Sequence, residues 1–465
     1  MFEALFGIKS RGSTVGREVL GGGTTFLAMS YILFLQPALL SSTGMDSGGI
    51  FMATCLASAI TCVVMGLLAN YPIALAPGLG ENTFFVYTIC GVGAAAGVFH
   101  LSWQEALALT VVTGAIFLLL SLVGFRSALL NAIPDSLKSG IAAGIGMLIA
   151  LVGCEWGNII RKDAFTFVAL ADMRGNYVAL LTIAGLAITF ALAALHLRGA
   201  ILLGILATTA ITWGVGRYYG ITTIQWQGLA ALPTGLGKTA GAFVGGMGEL
   251  GRKLAGPNWA DVLVMGFILL FMDVFDTVGT LVGVAGRAGL MQGGKLPRAE
   301  RALAADAIGT IVGGAMGTST ITSYIESVTG VVAGARTGLA AIVAGICLAV
   351  ALLFQPLVDM VAAGVPVTVG GVTTAKYPMI APALIVVGAM MMRAMRDVEW
   401  DDLTEALPAF LTMVTMPFAF SISAGIAIGF VSYAFGKLIT GRPRQCPVMV
   451  YIFAALFILR YAVAR

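Results

Sequence analysis

Charged residues are absent from long stretches of this chain, and that absence decides what it can fold into. A helix needs about 20 apolar residues to cross the ~30 Å hydrocarbon core of a bilayer. The chain holds about fourteen such runs, at 19–40, 50–69, 74–97, 104–124, 136–154, 176–196, 199–219, 260–286, 301–317, 318–335, 337–356, 378–396, 403–419 and 422–440. We number them spans 1 to 14. Of the 465 residues, 59% are apolar and 10% charged, against about 45–50% and ~25% in soluble domains. A water-soluble body of this size cannot hide so much apolar surface. A soluble enzyme, a disordered chain and a fibre are excluded. The expected class is an all-α polytopic membrane protein. A fifteenth apolar run, 446–463, contains Arg460 and either crosses the bilayer or lies along its surface.

The basic residues orient the spans. With the N-terminus in the cytoplasm, 16 of the 26 Lys and Arg fall on the cytoplasmic side and 8 outside, the latter in the longer loops. That bias predicts an N-in orientation. Lys9, Arg11 and Arg17 precede a run too long for a cleavable signal peptide. The net charge of +4 suggests no nucleic-acid partner. Cys55, Cys62, Cys90, Cys154, Cys347 and Cys446 are scattered without a CxxC, and His100 and His196 stand at span ends. No metal site and no cofactor is expected from them. Gly237-Lys238-Thr239 ends like a phosphate-binding loop, but position 232 is Leu where that loop needs Gly.

Seven spans followed by seven place the two halves in opposite orientations, the pattern of inverted-repeat transporters. Ile133-Pro134 opens span 5 and Tyr377-Pro378 opens span 12, an offset of 244 residues that also carries Asn82 onto Glu326. Spans 3 and 10 are unusual. Span 3 reads Ala76-Pro77-Gly78-Leu79-Gly80-Glu81-Asn82-Thr83, and span 10 reads Thr318-Ser319-Thr320-Ile321-Thr322-Ser323-Tyr324-Ile325-Glu326. Pro and Gly interrupt the first, and Ser and Thr favour strand or cap in the second. Each is expected to form a short extended piece followed by a half-helix, which is tolerated at membrane depth only beside protein or a water-filled cavity.

A mid-span carboxylate costs about 2.5–3.5 kcal/mol on insertion scales. Glu81, Asp273, Asp276 and Glu326 are the candidates, and the spacing of Asp273 and Asp276 puts both on one helical face. They read as a substrate site with a proton relay, or as structural carboxylates capped by hydroxyls. Asp306 and Asp359 read as interhelical or interfacial residues without a role.

The segment Asp273-Val274-Phe275-Asp276-Thr277-Val278-Gly279-Thr280 resembles the span-8 signature of the nucleobase cation symporter-2 superfamily, in its adenine/guanine/hypoxanthine permease branch. Gly22 to Tyr31, Lys295-Leu296-Pro297-Arg298, Tyr324-Ile325-Glu326-Ser327 and Ala381-Pro382-Ala383-Leu384 carry the same resemblance. It implies a core domain from 1–124 and 260–356, a gate domain from 125–219 and 357–440, an extracytoplasmic linker at 220–259 and a tail at 441–465. It implies proton symport of a purine base, with sodium as the other candidate ion and a homodimer admitted. Asp276 and Glu326 take the places of the base-binding carboxylates, and Asn82 that of a polar residue shaping the site. Thr83, Tyr324, Ile325 and Thr280 complete the substrate-binding set, Thr280 standing where uracil-transporting relatives have His. Proton coupling falls to Glu326, Asp276 and Glu81; Glu81 departs from the branch, where that position is often apolar. Phe84, Phe85 or Tyr324 would stack on the base. The connection 357–377 is longer than usual and has no assigned role. The competing readings are an anion transporter of the sulfate/bicarbonate type, which site carboxylates would oppose, and a membrane-embedded enzyme or a channel.

Overall fold

The computed structural model describes residues 2–93, 99–122, 133–163, 166–218, 226, 228–291, 296–369 and 372–463. Nine helical stretches among them are long and apolar enough to cross a membrane, from Val15–Thr43 to Ile422–Ile439. Their outward faces carry Leu67, Leu119, Phe190 and Phe418, all exposed. Apolar surface on this scale belongs against lipid. The chain is a multi-pass membrane protein.

The helices pack in two sets. Val15–Met29 and Ser47–Leu68 lie against Gly338–Ala351, and Ser47–Leu68 and Trp103–Leu122 lie against Ala299–Met316. Separately, Asp135–Trp156 packs on Ala381–Met391 and on Leu403–Phe418, which in turn packs on Ile422–Ile439. Small residues permit the close approaches, as is usual where lipid supplies no hydrophobic drive between helices. A Cβ on Gly338 would stand 2.1 Å from the Gly66 carbonyl oxygen, and one on Gly388 would stand 2.4 Å from that of Gly146. The end of Asp135–Trp156 meets the approach to Ala381–Met391, where the Tyr377 amide donates to the Trp156 carbonyl at 2.9 Å.

Several details differ from the sequence reading. Span 1 is two helices, Val15–Met29 and Ile32–Leu40, joined at Ser30 and Tyr31. The linker 220–259 is not uniformly polar coil, because it contains the helix Ala242–Ala255, which packs on Trp103–Leu122. The unassigned connection 357–377 contains a hairpin, β5 (Val365–Val369) and β6 (Val372–Lys376). A second hairpin, β2 (Ile160–Asp163) with β3 (Phe167–Leu170), follows span 5. The run 446–463 forms the helix Val448–Val463, which packs on Ile422–Ile439. All six cysteines are free.

Charged residues outside the spans tie segments together. Glu18 accepts from the amides of Arg336 (2.9 Å) and Thr337 (3.2 Å), capping the start of Gly338–Ala351. Arg11 donates to the carbonyls of Asn70 and Arg336. On the other side, Lys238, from the phosphate-loop look-alike, pairs with Asp46 at 2.7 Å, and Asp46 caps Ser47–Leu68 through the Gly49 amide at 2.9 Å. Bonding to Lys238 first, and to the Gly49 amide, holds the Asp46 carboxyl below the usual carboxylate range. A depressed carboxyl contributes stability that is present above its unfolded value and lost as pH falls through the folded one. Proteolysis of 228–241 in proteoliposomes is therefore expected to accelerate on acidification below the ordinary Asp range. In Asp46→Asn it should be fast already at neutral pH.

Candidate functional site

The site is built where the two interrupted segments cross. β1 (Leu75–Pro77) and β4 (Ile321–Ser323) pair antiparallel, with Leu75 opposite Ser323 and Pro77 opposite Ile321. The Tyr324 amide donates to the Ala74 carbonyl at 3.0 Å, and the Gly78 amide to the Thr320 carbonyl at 3.3 Å. Backbone groups that have left helical geometry thus satisfy one another in the protein interior. After β1 the chain enters the short helix Leu79–Thr83 and then a wider π-turn, Phe84–Ile89. After β4 it turns through Tyr324, Ile325 and Glu326 into Ser327–Val332.

The long helix Trp259–Arg287 runs past this crossing and contributes Asp273, Asp276, Thr277 and Thr280. Asp276 is exposed, Glu326 is half-buried, and the two lie within electrostatic reach of each other. Tyr31, at the junction inside span 1, donates its hydroxyl to Glu326 Oε1 at 2.6 Å. Ile325 is 48% exposed. Phe275, beside Asp276, is half-buried, and the Lys138 ammonium stands 4.8 Å over its ring.

The other sequence-selected residues are packed inside. Glu81 is 2% exposed, its Oε2 has no hydrogen-bond partner, and it lies within electrostatic reach of Asp276 and Asp273. Asn82 is fully buried, donates to Gln36 Oε1 and accepts from the Ser319 hydroxyl. Thr83 donates back to the Leu79 carbonyl at 2.8 Å, and the Tyr324 hydroxyl to the Pro77 carbonyl at 2.6 Å. Thr280 is buried, as are Phe84 and Phe85. Asp276, Glu326 and Ile325 are therefore the selected residues that reach open space.

Sequence reasoning assigned no role to the residues that hold this arrangement. Gln36 donates to Thr318 at 2.8 Å and to Ser319 at 3.1 Å, and Tyr31 engages Glu326. Asp306 accepts from Thr277 at 2.6 Å and Ser323 at 3.0 Å, so it is an interhelical residue that anchors β4. A lone amide in an apolar run is the signal that could have singled out Gln36. Among the described residues no three His, Cys, Asp or Glu are grouped to hold a metal ion.

A permease-family profile, Xan_ur_permease, matches residues 16–428. The chain is 39% identical over 468 residues to the guanine/hypoxanthine permease PbuG of Bacillus subtilis, covering 99% of each chain. It is 38% identical over 458 residues to the adenine permease AdeQ of Escherichia coli, covering 98% of this chain and 95% of that one. The chain belongs to this permease family.

The permease shares its fold with the transmembrane domain of the cyanobacterial bicarbonate transporter BicA, with a TM-score of 0.59 and 15% identity over 88% of this chain and 97% of that one. At that identity the likeness concerns architecture alone. The chain is a transporter and not an enzyme, as the permease relatives make plain.

The permease's site depends on close packing behind β4. A Cβ on Gly313 would stand 2.3 Å from the Ser319 carbonyl oxygen, whereas one on Gly279 would meet nothing within 4 Å. Gly313→Ala is expected to cost about 1–3 kcal/mol through overpacking and to lower the thermal unfolding temperature in detergent. Gly279→Ala should leave that temperature unchanged.

Proposed function

We propose that this permease imports purine nucleobases (hypoxanthine, guanine or adenine) across the bacterial inner membrane by proton symport. The observation that carries this reading is the pair of accessible carboxyls, Asp276 and Glu326, flanking the crossing of two broken spans in a chain whose relatives are guanine/hypoxanthine and adenine permeases. A purine presents N–H donors and ring acceptors along one edge. Carboxylates accept those N–H bonds, and a protonated carboxyl donates to a ring nitrogen. Charge-assisted bonds of this kind are the strong ones in a partly desolvated site.

In this reading the chain has 14 spans in two inverted repeats, with its N-terminus in the cytoplasm. The set of helices around the crossing is the core domain, and the set around Asp135–Trp156 is the gate against which it moves. Proton binding neutralises the carboxyl pair, and base binding is linked to it reciprocally. Glu326, held by Tyr31, and Asp276 bind base and proton, with Glu81 behind them as the third acidic group. Asn82, Thr83, Tyr324 and Thr280 shape the pocket from within the packed wall, and Ile325 borders it.

Uptake of labelled hypoxanthine, guanine and adenine by cells lacking their own purine permeases tests the reading. Uptake of at least one base, abolished by a proton-gradient uncoupler, is expected. Asp276→Asn should weaken the apparent affinity about 10- to 100-fold, the size of a lost hydrogen bond to a charged group. Uptake of none of the three would refute the proposal.

A further inference from the structure

The long helix Trp259–Arg287 carries three phenylalanines at intervals of four, Phe267, Phe271 and Phe275. That spacing puts them on one face, and Asp276 follows the last of them. Each ring meets a different helix of the gate set. Phe275 lies under the Lys138 ammonium of Asp135–Trp156, at 4.8 Å. Phe271 meets Phe430 of Ile422–Ile439 edge to face, with the centroids 6.2 Å apart. Phe267 stacks on Phe453 of Val448–Val463, with the ring planes 16° apart.

Val448–Val463 is the fifteenth apolar run, to which the transport cycle above gives no task. Val450, Phe453, Ala454 and Phe457 are buried, while Val448, Ile452, Ile458 and Leu459 are exposed. The buried set recurs at helical spacing, so one face meets protein and the other suits lipid. The inner face is fastened to the gate. Phe430 meets Phe453 and Phe457 edge-on, at 6.3 and 6.0 Å. In the connection before the helix, Arg442 pairs at 3.1 Å with Asp402, which caps Leu403–Phe418. Phe453 thus joins Phe430 of the gate to Phe267 on the helix that bears Asp276.

The contacts between the two sets differ in kind from those within the core. There Asn82, Asp306 and the strands β1 and β4 are joined by buried hydrogen bonds, and separating them would strand polar groups. Phenylalanine rings strand no polar group when they part, yet while together they favour contact beyond simple area burial. A second ring contact links the sets without the C-terminal helix. Tyr87, on the π-turn Phe84–Ile89, meets Phe420, between Leu403–Phe418 and Ile422–Ile439, edge to face at 4.9 Å.

We propose that Val448–Val463 is a latch of the gate. Phe453, seated on Phe430, holds the helix bearing Asp276 through Phe267, and this stack opens each time the core moves. The inference rests on the core-and-gate reading above and is independent of the coupling ion.

Cross-linking in proteoliposomes tests it, with counterflow of labelled hypoxanthine, guanine and adenine as the readout. Phe267→Cys combined with Phe453→Cys is compared with each single variant, because the chain has six cysteines of its own. Oxidation of the double variant should lower counterflow to that of empty vesicles, and reductant should restore it. Tyr87→Cys with Phe420→Cys, which joins core to gate elsewhere, should behave alike. Counterflow that persists in the cross-linked Phe267/Phe453 protein, with arrest in the Tyr87/Phe420 protein, overturns the latch and leaves the core-and-gate reading standing. Persistence in both removes that reading, and the latch with it. Failure of the Phe267/Phe453 pair to cross-link also overturns the latch, since the stack is then not formed in the bilayer. Should the double variant not fold, Phe453→Leu decides: with the ring lost and an apolar side chain kept, the maximal counterflow rate should rise about 2- to 10-fold. An unchanged or lower rate overturns the latch.

Discussion

The pairing of β1 with β4 is the contact on which the rest of the site depends. Two segments leave helical geometry inside the membrane-spanning body, and their freed amides and carbonyls have no water to turn to. Each segment supplies what the other lacks, through Tyr324 to Ala74 and Gly78 to Thr320. Neither break is tenable alone. The pairing also forces residues from distant parts of the chain to meet. Glu326 follows one strand, Glu81 follows the other, and the helix bearing Asp276 passes beside them.

A shell of hydroxyls and one amide then turns a backbone crossing into a defined site. Gln36 ties span 1 to Asn82, Thr318 and Ser319. Thr277, Thr322 and Ser323 tie the long helix and β4 to Asp306. These bonds are buried, where an unmet polar group is expensive and a met one is rigid. They leave Asp276 and Glu326 as the carboxyls facing open space. The accessible acids thus stand on segments that buried hydroxyl and amide bonds hold in place.

Much of the architecture was legible because the signals are local. Apolar runs mark the spans, and Pro77, Gly78 and the Ser/Thr series from Thr318 mark the breaks. The hairpin of β5 and β6 was legible too: Val365, Val367 and Val369 alternate before Gly370-Gly371, which is a hairpin signal. The division of span 1 at Ser30 and Tyr31 had a weaker signal, since neither Gly nor Pro stands at the break. Asp306 lacked one as well: its importance lies in Thr277 and Ser323, which reach it from other segments.

The sequence alone determined that this chain lives in a membrane, that two of its spans cannot be continuous helices, and that several carboxyl groups sit where lipid would not tolerate them bare. Those are consequences of composition and of neighbours along the chain. Which acids are accessible and which are locked by hydroxyls were decided by tertiary structure. Such distinctions depend on bonds between segments hundreds of residues apart, as Tyr31 with Glu326 and Asn82 with Ser319 illustrate, and no local pattern encodes which partner will arrive.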